Sequence, residues 1–272
     1  MERNKNMNPY VVKDLFGIKG LNIAWYGVII GVGLLAGVAV AVWRANKKGL
    51  KADLIYDYTL WAMPVAVIGA RGYYVLFQWD YYKEHLSKIA MITEGGLAIY
   101  GAVIASILVA VLFCRRNKIS FLLFANLTIP CLALGQAIGR WANFVNQEAY
   151  GRLITEERLQ FFPYAVYIER ASEWHQATFF YESIWCILLF FALLLLGSRD
   201  DTLKYTFSAY CIGYGIGRFL IEGLRTDSLY IGGTIRVSQL VSVLLIFLGT
   251  AVAVLIKAKH NQAVPYQGKY SS

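Results

Sequence analysis

Seven runs of apolar residues, each long enough to cross a hydrocarbon core, constrain this chain more than any other feature. They cover about residues 21–43, 54–77, 96–114, 121–141, 178–196, 205–224 and 237–256. Crossing the core takes about 20 helical residues. The expected fold class is therefore all-α, a polytopic integral membrane protein with about seven transmembrane helices. Composition agrees. The chain is 58% hydrophobic and 16% charged, against roughly 25% charged residues in soluble domains, and its mean hydropathy is +0.49.

Basic residues in the connections set the orientation, because cytoplasmic loops carry an excess of Lys and Arg. The connections 44–52, 115–120, 197–204 and 257–272 hold 12 Lys/Arg in 39 residues, whereas 1–20, 79–94, 147–176 and 224–235 hold 10 in 78. The denser set is placed in the cytoplasm, with the N-terminus outside and the C-terminus cytoplasmic. The chain then divides into an outer tail (1–20), a single membrane-embedded domain (21–257) with an outer loop at 147–176, and a cytoplasmic tail (258–272). The net charge of +9 is read as a topology signal and as contact with anionic membrane lipids rather than with nucleic acid. Twenty mostly polar residues precede the first run, and that run exceeds the about 7–15 residues of a signal-peptide core, so no cleavable signal is expected.

Against this apolar background, charges inside the runs need a reason, since ionisable groups in membrane segments are costly and mark function by default. Arg71 lies within the second run. The fourth run closes on Gly139-Arg140-Trp141-Ala142-Asn143-Phe144-Val145-Asn146-Gln147-Glu148, and the sixth on Gly217-Arg218-Phe219-Leu220-Ile221-Glu222-Gly223-Leu224-Arg225. The assigned orientation puts both at the outer side. On a helix Arg140 and Asn143 share a face, with Gln147 following if the helix continues; Arg218, Glu222 and Arg225 share another. Guanidinium groups stay charged and bind phosphate bidentately. Two of them facing one cavity would suit a phosphodiester headgroup and would stabilise a phosphate leaving group. The structural alternatives are an Arg218–Glu222 pair that only supports packing, a polar network tying helix ends together, and an Arg225 that snorkels to the surface.

A transfer reaction also needs a group that activates the acceptor. Tyr100, in the glycine-flanked stretch Glu94-Gly95-Gly96-Leu97-Ala98-Ile99-Tyr100-Gly101, is one candidate. Glu148, Glu222 and His175 are others. An ordinary tyrosine titrates near pH 10 and would need arginines beside it to serve as a base; its structural alternative is a membrane-interface residue. Cys114, Cys131, Cys186 and Cys211 form no CxxC pair and are read as reduced packing residues. His85, His175 and His260 show no ligand spacing, so neither a metal nor another cofactor is expected. Glycines four apart (Gly27/Gly31, Gly33/Gly37, Gly135/Gly139, Gly213/Gly217) are read as close helix packing.

These residues resemble the bacterial prolipoprotein diacylglyceryl transferases. The stretch from Gly139 to Glu148, continuing Ala149-Tyr150-Gly151, is similar to that family's signature. Trp25-Tyr26-Gly27, Gly69-Ala70-Arg71, the stretch ending Tyr100-Gly101, Phe179-Phe180-Tyr181-Glu182-Ser183 and the Arg218–Arg225 stretch follow in the family's order, over about residues 20–257. The resemblance implies a multi-pass enzyme of the bacterial cytoplasmic membrane, with an outward N-terminus and the active site toward the outer leaflet. It implies transfer of the sn-1,2-diacylglyceryl group of phosphatidylglycerol to the lipobox cysteine of a preprolipoprotein signal peptide, giving a thioether and glycerol 1-phosphate. By motif match, Arg140 and Arg218 are the principal phosphate-binding and catalytic arginines. Tyr100 and Glu222 join the catalytic set, and Tyr26, Asn143, Asn146, Glu148, Gly151 and Arg225 the substrate-binding set. Three positions depart from the pattern: Tyr100 stands where some members have histidine, Ala142 where glycine is usual, and His175-Gln176-Ala177-Thr178 lacks the proline common before the fifth span. The last predicts a looser helix start.

The principal rival is a membrane transporter or channel for an anionic solute, which would also use intramembrane arginines. Inverted repeats and paired broken helices would mark one, and none is evident. An intramembrane hydrolase would show G-x-S-x-G or H-E-x-x-H. A prenyltransferase would show aspartate-rich motifs, and the one Asp pair, Asp200-Asp201, falls in a predicted cytoplasmic loop.

Overall fold

The computed structural model describes residues 10–14, 17, 22–92, 95–199, 203–258 and 268–271. Glu94, Asp200, Asp201, His260 and most of the 1–20 tail lie outside the described residues. Each of the seven runs forms a helix: α1 (Trp25–Lys47), α2 (Asp53–Phe77), α3 (Ile99–Arg116), α4 (Phe121–Asn146), α5 (Thr178–Leu196), α6 (Thr206–Glu222) and α7 (Val237–Ala258). Six are long and apolar enough to cross a membrane. The other, α6, has 17 residues, about 26 Å at 1.5 Å per residue. Arg44 and Lys47 end α1, and Arg115 and Arg116 end α3. There they complement the negative end of the helix dipole.

Among the described residues, three antiparallel strand pairs lie outside the helices: β1 (Tyr10–Val12) with β2 (Ile23–Ala24), β3 (Ala165–Ile168) with β4 (Glu173–Gln176), and β5 (Tyr230–Ile231) with β6 (Ile235–Arg236). The 147–176 loop is thus a built element, with Ala165 opposite Gln176 and Ile168 opposite Glu173. Its root is tied to α5 by Thr178 Oγ1, which donates to the Ala149 carbonyl at 2.5 Å. The start of α5 is therefore anchored, not loosened by the missing proline.

The chain groups into two compact units and passes between them within α1 and α4. One comprises Met1–Val40 and Asn126–Gln262, the other Ala41–Ala125 and Ala263–Ser272. In the second unit α2 and α3 cross closely at Gly69 and Gly101; a Cβ on Gly101 would stand 2.2 Å from the Gly69 carbonyl oxygen. Arg71, buried in α2, donates to the carbonyls of Lys88 (2.6 Å), Ile89 (2.9 Å), Met91 (3.3 Å), Gly95 (2.8 Å) and Gly96 (3.0 Å). Its guanidinium thereby moors the α2–α3 connection. Residues 268–271 return to this unit. The Lys51 amide donates to the Tyr270 carbonyl (2.8 Å), and the buried Tyr270 hydroxyl donates to Asp57 Oδ2 (2.8 Å).

In the first unit, small residues bring the helices together. Gly33 and Gly37 of α1 face the Gly135 and Cys131 carbonyls of α4 at 3.4 Å from their would-be Cβ atoms, whereas Gly27 and Gly31 face open space. Only part of the glycine pattern is therefore packing. Gly213 and Gly217 of α6 pack on Leu189 and Trp185 of α5, and Gly215 on Ser242 of α7. The orphan amide at the start of α6 is capped from another helix, since Phe207 N donates to Asn126 Oδ1 at 2.7 Å. All four cysteines are buried.

Candidate functional site

The site grows from the C-terminal turns of α4. The helix runs to Asn146, so Arg140, Asn143 and Asn146 are all helical. Arg140 Nη1 lies 3.5 Å from Asn143 Oδ1. The amides of Asn143 (3.0 Å) and Asn146 (3.4 Å) both donate to Glu148 Oε1, in the turn beyond. That turn forms because Gln147 and Ala149 adopt positive φ. Gln147 does not extend the polar face, as the helix-continuation reading expected. Its Oε1 accepts the Glu169 amide at 3.1 Å and braces the hairpin.

The centre of the cluster is Glu182 of α5, which the residue-by-residue reading left without a role. Its side chain is 3% exposed, with Oε1 2.5 Å from Arg140 Nη2 and Oε2 2.8 Å from Arg218 Nη1. Arg218 of α6 also meets Glu222 Oε2 at 2.6 Å, one helical turn on. Two arginines and two glutamates thus form a formally neutral set, which lets them be buried together where an uncompensated charge would not be tolerated. The Arg140–Glu182 and Arg218–Glu222 contacts are ionic approaches without hydrogen-bond alignment. Arg218 Nη2 donates instead to Ser238 Oγ of α7 at 3.2 Å. The Arg218–Glu222 pair exists, as the packing alternative required, but it is one edge of a network joining four helices.

Next to this network Trp141 Nε1 donates to Ser183 Oγ (3.2 Å), and Ser183 Oγ donates to the Ala137 carbonyl (2.8 Å). These bonds pin α4 to α5 beside the Arg140–Glu182 contact. Trp141, Ala137 and Ser183 also line a cavity of about 320 Å³, completed by residues that include Trp25, Val28 and Ile29 of α1. Its walls are almost wholly apolar. Tyr26, at the start of α1, lies within electrostatic range of Glu148 and Arg140, and Tyr214 of α6 lies against Arg140.

Other expected residues take different places. Arg225 is not on the Arg218–Glu222 face. After Glu222 the backbone tightens to i→i−3 bonds, with Leu224 N to Ile221 O at 3.0 Å and Arg225 N to Glu222 O at 3.2 Å, and three residues per turn break the register. Arg225 instead pairs bidentately with Asp227, at 2.9 Å for both bonds. Burial alone would raise the Asp227 carboxyl, but the hydrogen bonds and charge of Arg225 outweigh it and hold the group below its ordinary range. Gly151 bridges Arg225 and packs where a Cβ would stand 2.8 Å from Gln176. His175 is buried, with Nδ1 bonded to the Gly151 carbonyl (2.9 Å) and Nε2 near Glu173 Oε2 (3.2 Å). A ring nitrogen facing a carbonyl must carry the proton, so His175 is engaged in holding the hairpin. The Ala142 methyl is fully buried and fits. Tyr100 belongs to the second unit, its ring 6.4 Å from Tyr73.

These features define a polytopic helical membrane protein with an internal arginine–carboxylate cluster beside an apolar cavity. Comparison with known proteins narrows the class. The family model described as "Prolipoprotein diacylglyceryl transferase" matches residues 13–255, and the chain belongs to that family. A protein of Listeria monocytogenes serotype 4b named "Phosphatidylglycerol--prolipoprotein diacylglyceryl transferase" is 41% identical over 93% of this chain and 92% of its own length. Proteins of the same name from Geobacillus kaustophilus (42% identical; 91% and 93% covered) and Finegoldia magna (44%; 89% and 94%) are similarly close.

Proposed function

We propose that this chain catalyses the transfer for which its relatives are named. The diacylglyceryl group of phosphatidylglycerol passes to the lipobox cysteine of a preprolipoprotein, leaving a thioether and glycerol 1-phosphate, as a step in lipoprotein maturation. One observation carries the reading: guanidinium groups from two helices, Arg140 and Arg218, share the buried carboxylate of Glu182. Each guanidinium has five N–H donors, and donors remain on both for a phosphodiester. The adjacent apolar cavity suits an acyl chain.

In the reaction the cysteine thiol gives up its proton, and its sulfur attacks the glyceryl carbon that bears the phosphate ester. The carbon–oxygen bond breaks, and its electron pair leaves on the oxygen of glycerol 1-phosphate. Arg140 and Arg218 offset the charge that grows on the departing phosphate. Glu148 is the proposed proton acceptor among the carboxylates. Glu182 and Glu222 are buried against arginines, whereas Glu148 is exposed and held by two amides. A thiol of pKa near 8.5 needs only modest assistance. The part assigned to Tyr100 rests on its glycine-flanked place in the sequence, and comparing Tyr100→Phe with Glu148→Gln in pH–rate profiles decides between them. Tyr26, Asn143, Asn146, Gly151 and Arg225 are proposed to shape the lipid site, the last two by fixing the loop beneath it. On this reading the protein sits in the bacterial cytoplasmic membrane with the site toward the outer leaflet.

The test is reconstitution into vesicles containing phosphatidylglycerol, with a lipobox peptide as acceptor. Mass spectrometry should find the diacylglyceryl thioether, and Arg140→Ala should slow its formation by about 10²–10³-fold. Folded protein that forms no thioether would overturn the reading.

A further inference from the structure

Arg218 must present its guanidinium plane in a fixed direction if it is to meet a phosphate, and its own carboxylate neighbour does not fix it. The approach of Glu222 to Nη2 is short but unaligned. The aligned hydrogen bonds are two: Nη1 to Glu182 Oε2 (2.8 Å) and Nη2 to Ser238 Oγ (3.2 Å). Two bonds on different nitrogens define the plane of a rigid, planar fork. A single bond would leave it free to swing.

Ser238 stands in the first turn of α7, and its neighbours hold the same stretch of α6. Arg236 donates to the Glu222 carbonyl, and Gln239 Nε2 donates to the Phe219 carbonyl at 3.2 Å. Behind Ser238, the Ser242 hydroxyl donates to the Ser238 carbonyl at 2.7 Å. α6 and α7 approach closely at Gly215 and Gly249, where a Cβ would stand 2.8 and 2.7 Å from a backbone oxygen of the facing helix. The entrance to α7 therefore grips the last turn of α6 at two carbonyls and the arginine head at one hydroxyl.

We propose that Ser238 is a positioning residue for Arg218, holding the guanidinium in the plane in which it meets the phosphate as the glyceryl carbon–oxygen bond breaks. This rests on the transferase reading above. Its contribution is orientation, so it appears in turnover more than in lipid binding.

The experiment compares thioether formation by wild type, Ser238→Ala, Ser238→Thr, Arg218→Lys and the Ser238→Ala/Arg218→Lys double variant, in vesicles of varied phosphatidylglycerol content. Loss of a hydrogen bond to a charged group corresponds to about ten- to hundredfold. Ser238→Ala should lower kcat toward that range with KM for phosphatidylglycerol within about twofold, and Ser238→Thr should restore most of it. In the Arg218→Lys background, which lacks the fork, Ser238→Ala should cost little more, a non-additivity that a purely structural serine would not produce. A Ser238→Ala enzyme with wild-type kcat, a threonine variant no better than alanine, or additive losses would each overturn the proposal. Wild-type protein that forms no thioether would instead sink the reading beneath it.

Discussion

Glu182 is the residue on which the cluster turns. It lies in an otherwise uncharged span, and each of its oxygens meets a different arginine. Removing one partner of a buried ionic set leaves the others uncompensated, at a cost of roughly 3–5 kcal/mol. Glu182→Gln keeps the shape and removes the charge, so it should lower the thermal midpoint in detergent and reduce thioether formation at least about tenfold. A variant with wild-type midpoint and wild-type turnover would show that the arginines are held by something else. The arginines were legible in the sequence because a cation in an apolar run stands out. The bridge was not, although Glu182 is the sole acidic residue of its run. Its partners lie 42 and 36 residues away, and no periodicity encodes a contact between helices.

At the scale of elements, the hydrophobic runs anticipated the seven long helices of the described residues to within a few residues, because length and apolarity suffice to specify such a helix. The ends were harder. The i, i+4, i+7 rule placed Arg225 on the Arg218 face, but the backbone changes pitch after Glu222. The β3–β4 hairpin was invisible because strands of four residues are too short for alternation to register. Glycine spacing was informative for three of the four pairs, and the contrast with Gly27/Gly31 makes a test. Gly217 has the Trp185 indole where a Cβ would go, at 2.1 Å from Nε1, and that indole donates to the Gly213 carbonyl at 2.9 Å. Gly217→Ala should therefore push α5 from α6 and destabilise by about 1–3 kcal/mol. Gly27→Ala, in open space on α1, should be neutral or stabilising by up to about 1 kcal/mol. Thermal unfolding of both variants in one detergent checks the pair; equal midpoints would mean that the α5–α6 contact yields without cost.

For the whole molecule, the strongest untested expectation is sidedness, and its source is the uneven density of Lys and Arg between alternate connections. The bias acts during insertion, since moving basic residues outward across the bilayer is disfavoured. It therefore predicts orientation without reference to any site. The structure supplies a clean means of testing it. All four native cysteines are buried, so a cysteine introduced at an exposed connection should dominate labelling. Lys118, after α3, and Arg158, in the 147–176 loop, are both exposed. On intact cells a membrane-impermeant maleimide should label Arg158→Cys, and Lys118→Cys only after permeabilisation. The reverse pattern would place the Arg140–Glu182–Arg218 cluster toward the cytoplasm. The proposed transfer, which sets the site toward the outer leaflet, would then fail on topology while the fold stood unchanged.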